Sequence, residues 1–216
     1  TVVTGTAFSG RVAVGDALGF PYQFQARNER NSFPVIDMGV SIDHEGNKRN
    51  CKEDLLGLWS DDTSLSLCLA ESLRKGFNLQ DQAERYVSWL DEGYMSALDY
   101  AFDCGNITTV TLARVRTMLH EGKYRELTNL GNTTDVFTNG NGSLMRILPL
   151  LIYIIDKDIK EQFNIVWQAS ALTHPHIRAA IACMFYLKYA EYVIHGHKKI
   201  DTYHQRSFYL KYNLPE

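Results

Sequence analysis

The feature that most limits the possible folds of this chain is the helical spacing of its apolar residues. Leu65, Cys68, Leu69 and Leu73 recur at intervals of three or four positions, and a second series does the same at Tyr86, Leu90, Tyr94, Ala97 and Ala101. Such spacing puts apolar side chains on the face of a helix that packs into a core. Further helices are predicted over 109–121, 143–155, 159–172 and 176–194. No alternating series of comparable length indicates strands, so the sequence predicts an all-α fold.

Length, charge and hydropathy narrow the class of protein. The chain has 216 residues, 45% of them hydrophobic, which suits a single helical domain over 1–216 with one sizeable core. A formal net charge of −3 offers no basic field, so no nucleic-acid partner is expected. The longest apolar run, 147–155, contains Pro149 and is too short to cross a bilayer. Without a signal-sequence pattern at the N-terminus, we expect a cytoplasmic protein.

Two polar segments interrupt the helical pattern. Residues 25–55 are rich in Asn, Arg, Asp, Lys, Gly and Ser, and residues 123–142 are rich in Thr, Asn and Gly. Connections of this length inside a packed domain are usually functional or mobile. We therefore expect loops at both places.

The first polar motif is Gly15-Asp16-Ala17-Leu18-Gly19-Phe20-Pro21. Taken alone, it favours a tightly packed helix that stops at Gly19, because glycine ends helices readily and Pro21 prevents their continuation. The motif by itself assigns no chemistry to this segment.

The second motif, Ser60-Asp61-Asp62-Thr63, stands directly before the helix that contains Leu65. One interpretation is local: Ser60 is a good N-cap, and acidic residues in a first turn offset the helix dipole. The other is that Ser60, Asp61 and Asp62 present hard oxygen ligands to a divalent cation. The tetrapeptide alone leaves both open.

The third motif, Thr138-Asn139-Gly140-Asn141-Gly142-Ser143, leads into the next predicted helix. Its glycines would let the backbone approach a ligand, and the N–H groups at a helix start bind phosphate. An ordinary turn with Ser143 as N-cap explains the same residues equally well.

In this order, and followed by Thr173-His174-Pro175, the motifs resemble those of the ADP-ribosylglycohydrolase family, which includes the dinitrogenase-reductase-activating glycohydrolases. The resemblance runs from about Gly5 to the helix after His174. It implies an orthogonal multi-helix bundle whose cleft holds two Mg²⁺ or Mn²⁺ ions and ADP-ribose. It also implies a metal-dependent hydrolase that removes ADP-ribose from a modified protein side chain by cleaving the glycosidic bond at the ribose anomeric carbon.

The resemblance assigns roles to the acidic motif. Ser60, Asp61 and Asp62 are expected to be metal ligands. Asp61 or Asp62 is also expected to be catalytic, by positioning or deprotonating a water whose pKa the cations lower. The family usually has Thr where Ser60 stands, a change that keeps the hydroxyl.

The resemblance also implies a substrate-binding set. Asn141, Gly142 and Ser143 are expected to contact the pyrophosphate, and His174 to line the cleft near the distal ribose. Phe137, beside the loop, is a candidate for stacking on adenine. Gln23 belongs to the same set, although the family often has a Glu there that faces the metal site, and a Gln cannot neutralise a cation.

One family feature is absent from the sequence. No Asp-x-Asp-Thr segment follows His174, and Asp201-Thr202 is the nearest approach to it. The bundle is therefore expected to be incomplete at its C-terminal end. Three explanations stay open: a fragment, a split enzyme completed by another chain or a second copy, and a variant with an incomplete metal site. The corresponding alternatives to an active hydrolase are an impaired ADP-ribose-binding module and a crystallin-like structural protein.

Overall fold

Helices make up most of the chain, as the apolar spacing predicts. The computed structural model describes residues 2–133 and 135–196, with side chains from residue 10 onward. Within these ranges the α-helices are α1 (Val2–Gly19), α2 (Arg27–Ser32), α3 (Asp61–Leu73), α4 (Leu79–Glu92), α5 (Asn106–His120), α6 (Gly142–Arg146), α7 (Leu151–Ile154), α8 (Ile159–Ala171) and α9 (Ile177–Ile194). Short 3-10 helices occur at Phe20–Tyr22, Glu53–Leu55, Tyr124–Asn129, Val136–Thr138 and Leu148–Leu150. The predicted all-α class is confirmed.

The core is built around α3. This helix packs against α1, α4 and α6, and its Leu65 and Leu69 are fully buried. Outside it, α4 packs against α5, while α8 and α6 pack against α9. Trp89 of α4 and Leu112 of α5 belong to the same continuous apolar cluster. The helix that starts at the acidic pair is thus a direct neighbour of the helix that starts at the glycine turn.

Side-chain caps fix several helix starts close to their predicted positions. In α8, Asp158 accepts hydrogen bonds from the N–H groups of Lys160 at 3.0 Å and Glu161 at 2.9 Å. In α9, the His176 ring accepts from the N–H of Arg178 at 3.1 Å. These contacts satisfy N–H groups that have no partner inside the helix. Helix α1 ends at Gly19, as its motif predicts.

Two predicted helices are shorter than the apolar spacing indicates. The stretch 143–155 divides into α6, a 3-10 turn and α7, because Pro149 has no N–H and cannot continue an α-helix. The series from Tyr86 to Ala101 stays helical only to Glu92. There Gly93 adopts a left-handed φ of 71°, and a Cβ at that position would lie 2.6 Å from the backbone nitrogen of Tyr100.

The segment 25–55 is more structured than the predicted loop. It contains α2 and a small antiparallel sheet of order β1-β2-β3, formed by β1 (Val35–Asp37), β2 (Val40–Ile42) and β3 (Lys48–Asn50). Arg49 of β3 pairs with Glu29 of α2 at 3.0 Å and lies 3.9 Å above the Phe33 ring. Strands of three residues are too short to produce the alternation that reveals a strand in sequence.

Two further expectations concern membrane-spanning helices and the C-terminal part of the chain. None of the helices in residues 2–133 and 135–196 is long and apolar enough to cross a membrane. The Asp201-Thr202 pair lies outside the described residues. The single domain over 1–216, incomplete at one end, stays a prediction.

Candidate active site

The carboxylate of Asp16 ties α1 to the beginning of α3. Its Oδ1 accepts a hydrogen bond from the Ser60 hydroxyl at 2.9 Å. Its Oδ2 accepts from the Ser60 N–H at 2.8 Å, the Thr63 hydroxyl at 2.7 Å and the Thr63 N–H at 3.2 Å. A carboxylate is favourable at this end of a helix, where N–H groups lack partners and the dipole is positive. Asp16 therefore fixes the segment that carries the acidic pair.

Ser60 is the N-cap of α3, as its position in the sequence predicts. Its hydroxyl oxygen accepts a hydrogen bond from the N–H of Asp62 at 3.4 Å and lies 3.4 Å from Oδ2 of the same residue. A hydroxyl has one proton to donate. The Ser60 hydroxyl donates its proton mainly to Asp16, because that contact is the shorter one. Its hydrogen bond to the Asp62 carboxylate is therefore the weaker one.

Asp61 is a buried carboxylate without a neutralising partner. It is 7% exposed, and among the described residues no other side chain donates a hydrogen bond to it or forms an ion pair with it. Burial raises its pKa to about 8, and the charges of Asp62, Asp103 and Asp16 add to the rise. Burial and the Asp16 charge also raise the pKa of Asp62. The site therefore disfavours the negative charges it contains.

Asp103 brings a further carboxylate to this place from the segment between α4 and α5. Its backbone is left-handed, with a φ of 56°, a conformation that Asp tolerates better than most residues. The ring of Phe102 meets Phe20 edge to face at 5.6 Å, which holds the segment against the end of α1. The Gln23 amide nitrogen donates to Asp103 Oδ2 at 2.9 Å, so Gln23 joins the site through Asp103.

These carboxylates, Asp16, Asp61, Asp62 and Asp103, are called the acidic cluster below. In the part of the chain that the structure describes, no Lys or Arg forms an ion pair with any of them. In that same part, no three His, Cys, Asp or Glu side chains are arranged to hold a metal ion. The cluster thus offers the oxygen chemistry and the negative charge that Mg²⁺ and Mn²⁺ prefer, but not a finished coordination shell.

The glycines of the third motif enclose the ring of His174. A Cβ on Gly140 would lie 2.9 Å from the His174 Nε2, and a Cβ on Gly142 would lie 2.5 Å from its Cε1. His174 as a whole is 4% exposed. The structure therefore brings His174 together with the predicted phosphate loop, and it gives these glycines a reason that the sequence interpretation lacked: larger residues would collide with the imidazole.

The residues after Gly142 differ from the simple turn. Helix α6 begins at Gly142, with Asn141 rather than Ser143 at the N-cap and no capping bond from the Asn141 side chain. The Ser143 hydroxyl is buried, accepts a hydrogen bond from Ser170 at 2.9 Å and lies 3.4 Å from the Cys183 sulfur. Any phosphate contact by Ser143 therefore falls to its backbone N–H.

Arg146 is a fully buried cation whose hydrogen bonds hold this loop in place. Its guanidinium donates to the Tyr86 hydroxyl at 2.8 Å, to the Ala169 carbonyl at 2.9 Å and to the Thr173 hydroxyl at 2.7 Å. The guanidinium also lies over the Tyr86 ring, 4.6 Å from its centroid. The group links α4, α6 and the end of α8, and so holds the segment that precedes His174.

The acidic cluster and the glycine turn are neighbours. Helix α3 packs against α6, and the segment 103–107 has one end near each place. Asp103, at one end of that segment, acts on Asp61, while Ile107, at the other, would lie 3.0 Å from a Cβ on Gly140. Residues far apart in sequence are therefore assembled around one region of the molecule.

Sequence reasoning assigned no role to four residues of this region, namely Asp16, Asp103, Arg146 and Thr173. An acidic residue among small neighbours in α1 was a usable signal for Asp16. Asp103 gave no comparable signal, because its segment resembled the continuation of a helix. Phe137 lies in the 3-10 turn before the loop, and its ring is exposed. Its role in stacking on adenine stays a prediction.

The chain is similar to two proteins named ADP-ribosylarginine hydrolase Tri1. The protein from Pseudomonas putida (strain GB-1) is 28% identical over 193 residues, and that from Serratia proteamaculans (strain 568) is 28% identical over 187 residues. The alignments cover 88% and 86% of this chain but 47% and 46% of the relatives, so it spans about half the length of the curated relatives it matches. The sequence model described as ADP-ribosylglycohydrolase matches residues 12–211, and the chain therefore belongs to the ADP-ribosylglycohydrolase family.

Proposed function

We propose that this chain forms the catalytic acidic region of an enzyme that hydrolyses ADP-ribosylated arginine side chains in proteins. The observation that carries the proposal is the buried Asp61 carboxyl, which has no neutralising partner among the described residues and starts the helix that packs against α6. Ionising a carboxyl that is buried in this way costs free energy unless a ligand or cation neutralises it in the working state. The names of the two relatives support arginine as the modified residue.

The reaction is a hydrolysis at the anomeric carbon of the distal ribose. Water adds to that carbon, the bond to the guanidine nitrogen breaks, and the nitrogen leaves with a proton. Free ADP-ribose and an unmodified arginine are the products. In this proposal the ionised form of Asp61 or Asp62, both in the first turn of α3, holds the water and takes its proton.

Ser60, Asp61 and Asp62 are the residues that would hold Mg²⁺ or Mn²⁺, with two ions in a complete site. Bound cations supply neutralisation of the carboxylates, orientation of the ribose hydroxyls and a lower pKa for water. The support in this chain is the set of oxygen ligands without a basic partner. Asp16 holds Ser60 in place by accepting hydrogen bonds from its N–H and hydroxyl.

The substrate lies between the acidic cluster and the glycine turn in this proposal. Backbone N–H groups at Asn141, Gly142 and Ser143 receive the pyrophosphate, as helix starts commonly do. His174 contacts the ribose side of the ligand. Gln23, tied to Asp103, lies at the acceptor side, where the negative field of the cluster attracts a guanidinium group.

The test is release of ADP-ribose from an ADP-ribosylated arginine peptide, with Mn²⁺, with Mg²⁺ and with chelator. It is run on the full-length protein. Asp61→Asn and Asp62→Asn should each reduce turnover by at least about a hundredfold, the usual contribution of an acid–base group. Asp54→Asn, on an exposed 3-10 turn, is the matched control and should leave turnover unchanged. Wild-type turnover by both site variants would refute the assignment.

Calorimetry with ADP-ribose separates the remaining possibilities. Metal-dependent binding with turnover supports the hydrolase. Binding that needs no metal and gives no turnover supports the impaired binding module. No binding under either condition supports the structural alternative.

A further inference from the structure

The Thr173 hydroxyl lies between a buried cation and the ring of His174. Its oxygen is 2.7 Å from Nη2 and 3.3 Å from Nε of Arg146. The same oxygen is 3.1 Å from Nδ1 of His174. Thr173 is fully buried, so water does not compete for these contacts.

The direction of the contact with His174 follows from counting protons and lone pairs. A hydroxyl oxygen accepts two hydrogen bonds and donates one, and a guanidinium can only donate. Two N–H groups of Arg146 point at the Thr173 oxygen, so the hydroxyl proton points away from the guanidinium. Among the described residues, the His174 ring nitrogen is the one acceptor within reach of that proton. Nδ1 must then be the acceptor, and it carries no proton.

The charge balance of the pocket agrees with this direction. Burial, and then the nearby Arg146 charge, lower the pKa of His174 to about 4. The imidazole is therefore neutral near pH 7 and carries its single proton on the other nitrogen, Nε2. That nitrogen faces the glycine turn and has no hydrogen-bond partner among residues 2–133 and 135–196.

We propose that Arg146 and Thr173 are positioning residues that fix His174 as its Nε2–H tautomer, with that N–H presented to the glycine turn. His174 is then a neutral donor to an oxygen of the ligand and not a general base, because Nδ1 is occupied and Nε2 is already protonated. The tautomer is a property of the free protein; only the part about a ligand oxygen rests on the proposed function.

Long-range nitrogen–proton NMR of the ¹⁵N-labelled chain without ligand reads the tautomer directly. His174→Gln identifies the resonances of this ring among the other histidines. The wild type should show a protonated Nε2 and a bare Nδ1 near pH 7. In Thr173→Val, which keeps the shape and removes the hydroxyl, the Nδ1 resonance should move to higher frequency as its hydrogen bond is lost. Thr173→Ser, which keeps the hydroxyl, should restore the wild-type frequency.

A proton on Nδ1 in the wild type would overturn the proposal, and this result needs no variant to fold. An Nδ1 frequency that is the same in wild type and Thr173→Val would show that Thr173 does not donate to the ring. ADP-ribose affinity gives the separate functional readout: Thr173→Val should weaken it by up to about tenfold, or 1.4 kcal/mol, and Thr173→Ser by less than about twofold. A correct tautomer with no ADP-ribose binding would refute the proposed function and leave the positioning role standing.

Discussion

Two buried ionisable side chains lie in adjoining parts of this molecule, and the protein treats them in opposite ways. Arg146 is fully buried, yet a phenol, a hydroxyl and backbone carbonyls accept its hydrogen bonds. Asp61 is nearly as buried, faces other carboxylates and has no such partners among the described residues. The fold thus supplies acceptors for the Arg146 guanidinium, whereas the described residues supply no group that neutralises an ionised Asp61. The comparison gives Arg146 a structural role, whereas in our proposal Asp61 has a catalytic one.

We expect the largest effect for Arg146→Met, which tests whether the hydrogen bonds of the buried guanidinium stabilise the fold. The change leaves the Thr173 hydroxyl and the Ala169 carbonyl buried without their donor, and each unsatisfied group is costly. We expect the free energy of unfolding to fall by about 3–5 kcal/mol in urea denaturation. Arg116→Met, which removes a half-exposed pair with Asp91, is the control and should cost less than about 1 kcal/mol. Equal losses would mean that the buried network adds nothing special.

Asp61 lacks such partners among the described residues, so we expect Asp61→Asn to raise the free energy of unfolding. A carboxyl whose folded pKa is raised to about 8 binds a proton more tightly folded than unfolded. Its ordinary value is 3.8, so between about pH 4 and pH 8 stability falls as pH rises. Asn removes that charge, so the metal-free variant should be more stable than wild type by about 2–4 kcal/mol at pH 9 and nearly unchanged at pH 4.

Thermal and urea unfolding at both pH values, with chelator present, measure this effect. Asp54→Asn should show no pH-dependent gain. If Asp61→Asn destabilises the chain at pH 9, the Asp61 charge has a partner that the structure does not contain, and the contrast with Arg146 fails.

A smaller effect is expected where the two regions meet, at Gly142. A Cβ there would lie 2.5 Å from the His174 ring, so Gly142→Ala should push the ring aside and cost about 1–3 kcal/mol. At Gly15 in α1, nothing lies within 4 Å of the added atom. Gly15→Ala should therefore be neutral, or stabilising by up to about 1 kcal/mol through helix propensity. Urea denaturation of both variants would contradict this argument if it ranked them the other way.

Local signals explain which parts of the site the sequence could predict. The Ser60 cap depends on a neighbour two residues away, and the helix starts at Asp158 and His176 are equally local. Asp16, by contrast, meets α3 at separations of 44 and 47 residues, and Asp103 meets Gln23 at 80. Apolar spacing specifies which face of a helix is buried, but it does not specify which other helix covers that face. The acidic cluster is a product of that packing.

The same limit explains the errors in the helix boundaries. Spacing alone continued the second apolar series to Ala101, although Gly93 ends α4 and the residues beyond it carry Asp103. A period of three or four can persist by chance after the hydrogen-bonded helix has stopped. The backbone at Gly93 passes so close to Tyr100 that a side chain would not fit, and no local pattern reports such an approach.

The mildest change tests whether the charge of the acidic cluster, rather than its shape, attracts the cation. Gln23 donates to Asp103, and Gln23→Glu replaces that hydrogen bond by repulsion between two carboxylates at an exposed position. Because exposed charges are screened, the metal-free chain should lose less than about 1 kcal/mol of stability. Added negative charge should at the same time strengthen Mn²⁺ binding by about threefold to tenfold, since ligand charge tunes the affinity for hard cations.

Asn164→Asp adds the same charge at an exposed place on α8 and should change neither quantity. Calorimetric titration with Mn²⁺ would contradict the expectation if both variants bound the ion as the wild type does, because the cluster would then attract no cation through its charge, and the uncompensated Asp61 would need another explanation.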